Sequence, residues 1–306
     1  MSAIAPPELS TPSPLEGEGR GEGALAKKRL IITADDFGLS EAINEGVERA
    51  HCDGILTSAS LMVAAPAAAD AVRRAKALPG LRVGLHLVVI EGPAALPPER
   101  IPELVDANGQ FPSRQLALGL KYAFHAGARR QLAAEIRAQF EAYAATGLPL
   151  DHADAHKHMH LHPSVAKLML RIGSEFGLRA IRVPAEPPLI MTRSGAPGTL
   201  AARALYAWST FLRRRVHHAG MAAADAVFGL AWSGHMTSDR LQRLIPNLPD
   251  GCNEIYFHPA ARRDEVIEAL MPDYQHEAEL AALIDPEFRA MLSRHGIVTC
   301  GCGELD

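Results

Sequence analysis

The chain has 306 residues, of which 48% are apolar and 22% charged, and its formal net charge is −4. This acidic balance, with an aromatic content of only 5%, argues against a nucleic-acid-binding protein, which would carry a basic excess. No apolar run reaches the roughly 20 residues that a membrane span requires, so we expect none. Four cysteines do not make a disulfide framework in a chain of this length, and we expect a reducing, cytoplasmic location.

The first 27 residues differ in composition from the rest. Pro, Gly, Ser and Glu are frequent in residues 6–23, and this segment has too little apolar content to fold. It also lacks the basic region and apolar run of a secretory signal. We predict a disordered segment at residues 1–27 and a single folded domain at residues 28–306.

From residue 28 onward, short apolar runs alternate with helical patterns. Strands are predicted at 29–33, 57–63, 81–87, 150–156, 180–183, 226–231, 254–257 and 296–300. Helices are predicted at 40–52, 65–78, 129–146, 163–176, 200–221, 238–244, 276–283 and 287–295. Residues 90–112 and 184–198 are rich in Pro and Gly and are predicted to be long loops, which are often functional.

Strands that alternate with helices pair in parallel through βαβ units. Eight candidate strands favour a TIM-like (β/α) barrel, irregular or incomplete, over an open doubly wound sheet. No Gly-x-Gly-x-x-Gly follows a strand and no Walker sequence is found, so nucleotide binding has little support. Cys300 and Cys302 could form a metal pair, but two small buried residues at the last strand are the better interpretation.

Chemically active side chains follow four of the predicted strands. Asp35 and Asp36 come directly after the first, and His86, His156 and His258 lie at the ends of three others. In a parallel barrel these ends share one face, where active sites form. Each residue alone has an ordinary explanation: a turn or helix cap for the aspartates, a core position for His86, a turn for His258. Their joint placement favours a single site.

Residues 151–162 contain five of the 14 histidines. In an extended strand, a two-residue period would place His152, Asp154, His156, His158 and His160 on one side. A nonspecific metal-binding tract is the alternative. Not all of these side chains can bind one ion, so some must orient ligands or contact substrate, and the roles of His152, His158 and His160 stay open.

One carboxylate and two imidazoles form a suitable set of ligands for a divalent metal. Such a set leaves positions open for water and substrate. A second carboxylate can then accept the proton of the water, and a histidine across the site can protonate the leaving group. Asp35 or Asp36 fits the base, and His258 fits the acid.

These residues stand in motifs that resemble the YdjC-like carbohydrate deacetylase family. The similarity extends over most of residues 28–300, in the segments 33–40 (TADDFGLS), 54–63 (GILTSASLMV), 84–87 (GLHL), 154–160 (DAHKHMH) and 257–259 (FHP). Together these motifs are highly specific, although each alone is not. Many relatives have Ser and His where this chain has Ala155 and Lys157, which puts substrate contacts in question but keeps His156.

The resemblance implies that Asp36, His86 and His156 bind one divalent metal ion, Mg²⁺ or Zn²⁺. It implies that Asp35 is the catalytic base and that His258 is the general acid. It also implies a barrel fold and the removal of an N-acetyl group from a sugar. The substrate would be an N-acetylated sugar or a glycolipid.

A closer similarity, to the hopanoid-associated HpnK branch of the family, rests on residues 88–92, 155–158 and 182–187. It implies an N-acetylglucosaminyl group on a hopanoid lipid as the substrate, and a location at the inner face of the membrane. The predicted helix at 200–221, with Trp208 beside Arg213–Arg215, is then a membrane-facing or substrate-gripping helix. An ordinary barrel helix with a basic end is the alternative. Monomer and homodimer are both compatible with the sequence.

Two other functions are alternatives. The first is a different metal-dependent hydrolase, an amidohydrolase or phosphoesterase, in which His158 and His160 would help to hold a second metal. The second is a noncatalytic sugar- or lipid-binding barrel. The intact set of five site residues argues against the latter.

Overall fold

The computed structural model describes residues 28–305, and within them nine strands and eleven helices follow one another. The strands are β1 (Lys28–Phe37), β2 (Ser58–Leu61), β3 (Arg82–Leu87), β4 (Gly92–Pro93), β5 (Gln110–Phe111), β6 (Ala153–Ala155), β7 (Ala226–Phe228), β8 (Gly251–Phe257) and β9 (Ile297–Thr299). The helices are α1 (Glu41–Cys52), α2 (Ala68–Ala77), α3 (Gln115–Phe124), α4 (Ala126–Ala145), α5 (Pro163–Glu175), α6 (Pro188–Arg193), α7 (Leu200–His218), α8 (Ser238–Leu244), α9 (Glu265–Leu270), α10 (His276–Ile284) and α11 (Pro286–Arg294). The predicted disordered segment 1–27 lies outside the described residues.

Seven strands form one parallel sheet in the order β6-β3-β2-β1-β8-β7, with β9 beside the start of β1. The sheet curls so that segment 180–185 links its two edges. Ala153 forms a bridge with Ile181, Ala180 forms one with Ala222, and the Val227 amide donates to the Ala185 carbonyl at 3.2 Å. The predicted irregular (β/α) barrel is therefore confirmed. The predicted strand at 180–183 makes only isolated bridges. Pro184 directly follows it and has no N–H to donate to a neighbouring strand.

Helices cover the central strands of the sheet, so these strands are buried on both faces. From Leu30 to Phe37, every residue of β1 is buried. This pattern is typical of parallel strands, whose crossover helices shield both sides. Local signals start the helices at the predicted places: the Ser40 hydroxyl accepts a hydrogen bond from the Ile43 amide at the start of α1, and Pro163 opens α5.

Three helices were not predicted from the sequence. Only Leu118 and Tyr122 of α3 are buried, while its other large apolar side chains face solvent, so no clear core-facing stripe revealed this helix. Helix α6 lies within the Pro-rich stretch 184–198, where Pro188 occupies a first-turn position that favours a helix rather than a loop. Helix α9 has six residues, too few for a periodic pattern.

The histidine-rich segment is not an extended strand beyond β6. After Ala155 the chain enters a tight 3-10 turn, in which Lys157 and His158 adopt left-handed backbone angles, with φ of 50° and 53°. The expected two-residue alternation therefore ends at His156, and the prediction that His158 and His160 continue it is wrong. The turn carries His156 over the end of the sheet.

Candidate active site

The five site residues expected from the sequence lie around one cavity at the carboxyl ends of the strands. Asp35 and Asp36 come from β1, and His86 from β3. His156 follows β6 and His258 follows β8. All five line this cavity, whose volume is about 230 Å³. The fold thus brings together residues that are up to 223 positions apart in the chain.

Asp36, His86 and His156 form a compact triad. Their ligating atoms all lie within 4.8 Å of one another. Oδ1 of Asp36 is 3.3 Å from Nε2 of His86 and 3.1 Å from Nδ1 of His156. Within the described residues, the buried Oδ2 of Asp36 has no hydrogen-bond partner. One carboxylate and two imidazoles at this spacing fit a divalent metal ion, which would also engage that oxygen.

Charge around the triad also favours a bound cation. Three buried carboxylates, those of Asp35, Asp154 and Glu254, form ion pairs with Arg182, the one arginine that is buried among residues 28–305. The Asp36 carboxylate is a fourth buried acid at this cavity. Burial disfavours the ionised form of Asp36, but the adjacent imidazoles hold its pKa well below the usual range. A divalent ion would balance the excess negative charge.

Backbone strain is concentrated at this cavity. Four non-glycine residues between positions 28 and 305 have positive φ, namely Asp36 (60°), Glu91 (44°), Lys157 (50°) and His158 (53°), and all four line it. Such angles cost on the order of 1–3 kcal/mol each and persist where the surrounding fold imposes them. Lys157 and Glu91 also form an ion pair at the cavity wall. The fold therefore tolerates an energetic cost in order to place these side chains at the site.

Asp154 fixes the orientation of His86. Its Oδ1 accepts a hydrogen bond from Nδ1 of His86 at 2.7 Å, which leaves Nε2 facing Asp36. A carboxylate behind a ligating histidine is a common way to fix its tautomer and raise its basicity. Burial opposes protonation of His86, but the Asp154 carboxylate outweighs this effect and raises the pKa to about 10. A cation at Nε2 would take the place of that proton.

His152 supports Asp154 indirectly, through the Ser60 hydroxyl. The Ser60 hydroxyl donates to Oδ2 of Asp154 at 3.0 Å and lies 3.0 Å from Nε2 of His152. Because that hydroxyl has a single proton, it must accept from Nε2–H of His152, whose Nδ1 faces the Asp151 carboxylate at 3.0 Å. Both ring nitrogens then carry protons, in agreement with a pKa that Asp151 raises against the effect of burial. His152 is thus a positioning residue rather than a ligand in the triad.

Arg182 joins the proposed base to this network. Its Nη1 donates to Asp35 Oδ2 at 2.7 Å, and its Nε donates to Glu254 Oε1 at 2.8 Å. Nη1 also forms an ion pair with Asp154 Oδ2 at 2.5 Å. The side chain is fully buried. The sequence prediction gave Arg182 no role. Arginine is almost never fully buried unless it is paired. An arginine within the apolar run 180–183 was therefore the sequence signal that could have indicated a buried ion pair.

His258 lies across the cavity from this network and is held through its backbone. Its amide donates to Glu279 Oε2 at 2.5 Å, and its carbonyl accepts from Nδ1–H of His276 at 2.6 Å. The ring packs edge-on against Tyr274, with 5.0 Å between ring centroids. Burial lowers the pKa of His258, and Asp36 partly opposes this shift. Glu279 and His276, both on α10, had no signal in the sequence.

The remaining histidines of the cluster do not form a second metal site. Nε2 of His158 lies 2.9 Å from the Tyr256 hydroxyl, and burial lowers the pKa of His160 to about 4, so its ring is neutral. Among residues 28–305, three groups of side chains have the spacing of metal ligands, and neither His158 nor His160 belongs to any of them. A two-metal hydrolase that uses them has no support.

These features define an α/β enzyme fold with a candidate metal centre at the carboxyl ends of its strands. The chain matches the YdjC-like protein family over residues 29–294, and it belongs to that family.

Relatives agree with this assignment, and a solved structure has a similar fold. A carbohydrate deacetylase of Geobacillus stearothermophilus is 32% identical over 269 residues, which cover 87% of this chain and 94% of the relative. A carbohydrate deacetylase of Mus musculus is 30% identical over 312 residues, 92% of this chain and 96% of the relative. The fold is similar to that of a putative cellobiose-phosphate cleavage protein from Enterococcus faecalis V583, with a TM-score of 0.68, 22% identity, and coverage of 90% and 98% of the two chains.

Proposed function

We propose that this protein is a divalent-metal-dependent carbohydrate deacetylase that removes the N-acetyl group from an amino sugar. One observation carries the proposal. The buried triad of Asp36, His86 and His156 lies in the same cavity as a second carboxylate, Asp35, and a further imidazole, His258. Hydrolysis of an amide by water requires a base for the water and an acid for the amine, and these two side chains supply both. Membership of the family and the full-length similarity to carbohydrate deacetylases support the same reaction.

Asp36, His86 and His156 would hold the metal ion. When bound, a divalent ion supplies Lewis-acid polarisation of the acetyl carbonyl and activation of water. Imidazole ligands suit Zn²⁺, whereas a hard carboxylate with open positions suits Mg²⁺, and we propose one of these two. Asp154 keeps His86 in the orientation that this role requires.

Asp35 is suited to act as the base. Arg182 fixes its Oδ2, while its buried Oδ1 has no hydrogen-bond partner among the described residues and is available to accept a proton. As the water oxygen bonds to the acetyl carbon, its proton passes to Asp35. His258 then donates a proton to the sugar nitrogen as the C–N bond breaks, so that acetate and a free amine leave. The backbone contacts of His258 with Glu279 and His276 keep its ring at the cavity wall.

For the substrate, we propose an N-acetylglucosaminyl group on a hopanoid lipid. Two of the segments that carry this closer similarity help to build the cavity. Within 182–187, Arg182 orders the acidic network, and Glu186 accepts hydrogen bonds from the amides of Gly229, Leu230 and Ala231 at 3.0 Å each. Leu230, whose amide Glu186 binds, lines the cavity. Glu91, from the similar segment 88–92, lines it as well. The proposal includes a cytoplasmic location at the inner membrane face. All five site residues come from one chain, so the proposed function is compatible with either a monomer or a homodimer.

Acetate release from two substrates tests this function. The purified, metal-loaded protein is given N-acetylglucosaminyl-hopanoid or soluble N,N′-diacetylchitobiose, with and without EDTA. Chelator-sensitive release that is faster from the hopanoid than from the chitobiose supports the full proposal. Release from the chitobiose alone keeps the deacetylase and removes the hopanoid. No release from either, with metal bound, rejects deacetylation and favours another metal-dependent hydrolase.

A further inference from the structure

An exposed apolar surface lies on α3 and α7. On α3, Leu116, Leu120 and Phe124 follow one another at four-residue intervals and are 78%, 53% and 81% exposed. This spacing places all three on one face of the helix. On α7, Leu200, Trp208 and Phe211 are also exposed, and the Trp208 and Phe211 rings lie 5.5 Å apart. Exposed large apolar side chains that cluster in this way mark an interaction surface.

The surface borders the catalytic cavity. A groove of about 550 Å³ runs between the two helices and is lined by Gly119 of α3 and by Leu205 and Trp208 of α7. Its inner wall includes Lys157 and His158, which also line the cavity that holds the metal triad. The Trp208 indole donates to the Leu161 carbonyl at 2.9 Å, so α7 is fixed to the turn that carries these residues. A molecule bound along the groove therefore has direct access to the site.

The charge of this region is opposite to that of the protein as a whole. Helices α3, α6 and α7 contain six Lys and Arg residues and no Asp or Glu, in a chain whose net charge is −4. Arg203, Arg214 and Arg215 are exposed on α7, and Lys121 is exposed on α3 beside the apolar stripe. Apolar side chains next to a band of cations, on helices that themselves carry no acidic residue, fit the surface of an anionic lipid bilayer.

We propose that α3 and α7 dock on an anionic membrane surface and that the groove between them admits the headgroup of a membrane-borne glycolipid to the cavity. The part of this inference that concerns the glycolipid substrate rests on the proposed function. The apolar side chains enter the interface, while the basic side chains pair with lipid phosphates. Within the described residues, no helix is long and apolar enough to cross a membrane.

Trp208 reports on this contact directly. The chain has two tryptophans, and Trp232 is 6% exposed, so Trp208, at 37%, is the accessible one. We expect vesicles of phosphatidylcholine and phosphatidylglycerol to shift the tryptophan emission to the blue, and lipids brominated in their acyl chains to quench it. Trp208→Phe should abolish both signals. Phosphatidylcholine alone, or high salt, should weaken binding because the anionic charge is absent or screened.

A second experiment removes the apolar stripe. Substituting Leu116, Leu120 and Phe124 together by Gln changes exposed positions only, and should lower vesicle partitioning at least about tenfold. Deacetylation of soluble diacetylchitobiose should stay unchanged, while that of glycolipid in vesicles should fall. The matched control is Val298→Ser, which changes an equally exposed apolar residue on β9, at the opposite end of β1, and should alter neither.

The outcomes separate this inference from the proposed function. If the wild-type protein ignores anionic vesicles, or binds them as well after the triple substitution, the docking surface is wrong. If the wild type sediments as a dimer that the triple substitution dissociates, and vesicles do not bind, a second copy covers this surface and the inference is overturned. Vesicle binding without acetate release from any substrate would reject the deacetylase and leave the docking intact.

Discussion

Gly84 provides a sharp test of the network beneath the metal triad. A Cβ atom at this position in β3 would lie 2.6 Å from three ring atoms of His152. The ring cannot move freely, because it is fully buried and is held at 3.0 Å by both Ser60 and Asp151. Forcing an extra methyl group into such a place costs about 1–3 kcal/mol. Weakening a hydrogen bond to a charged group adds about 1.5–3 kcal/mol.

We therefore predict that Gly84→Ala lowers the free energy of unfolding by about 2.5–6 kcal/mol, a large part of the roughly 5–15 kcal/mol of a typical protein. Denaturant unfolding measures this change. Since His152 supports Asp154 through Ser60, the affinity for the metal should also fall, by about 10–100-fold. Gly119→Ala is the control: its Cβ would meet His162 at an ordinary 3.6 Å, and alanine in α3 should stabilise by up to about 1 kcal/mol.

A double-mutant cycle isolates the cause. In a His152→Ala background the ring is gone, so Gly84→Ala should cost less than about 1 kcal/mol. A Gly84→Ala protein as stable as the wild type would refute the predicted clash. An equal loss in both backgrounds would show that the cost has another origin than His152.

Three further predictions concern the site itself. Asp36→Ala should abolish both metal binding and turnover, which metal analysis and an acetate assay measure together; an active, metal-free variant would contradict the ligand assignment. Asp35→Asn and His258→Ala should each slow turnover by about 10²–10⁴ while the metal content stays unchanged, and loss of the metal would argue against catalytic roles. Burial raises the pKa of Glu279 to about 7, from about 4.3 in an unfolded chain. The native state then holds a proton that the unfolded chain has lost, so the free energy of unfolding should decline by about 3 kcal/mol between about pH 4 and pH 7 and level off above that range. Glu279→Gln should remove this decline relative to the wild type, as unfolding measured at several pH values would show, and an unchanged pH profile would contradict it.

The architecture could be predicted largely because strand and helix signals alternate strongly. Strands that are buried on both faces produce compact apolar runs, and these located the ends of β1, β3, β6 and β8 closely enough to select the site residues. Parallel pairing then placed those ends on one face without knowledge of any contact. Helix α3 escaped prediction because Leu116, Leu120 and Phe124 face solvent and only Leu118 and Tyr122 face the core.

The residues that support the site were much harder to predict. Glu279 binds the His258 backbone from a helix that is remote in sequence, and nothing in the pattern of α10 distinguishes it from a surface acid. The left-handed turn at Lys157 and His158 was not predictable, since non-glycine residues seldom adopt positive φ and two in succession are rarer still. Sequence patterns therefore selected the candidate catalytic and metal-binding groups, but not the partners that orient them.

The most direct test of the account is acetate release from a soluble N-acetylated sugar by the wild-type protein before chelation, after removal of the metal, and after Mg²⁺ or Zn²⁺ is restored, with Asp36→Ala measured alongside. We predict that acetate and free amine appear in equal amounts, that chelation stops both, that one of the two ions restores both, and that the variant is inactive throughout. Acetate release that survives complete removal of the metal, or that persists in Asp36→Ala, would contradict a metal centre formed by Asp36, His86 and His156.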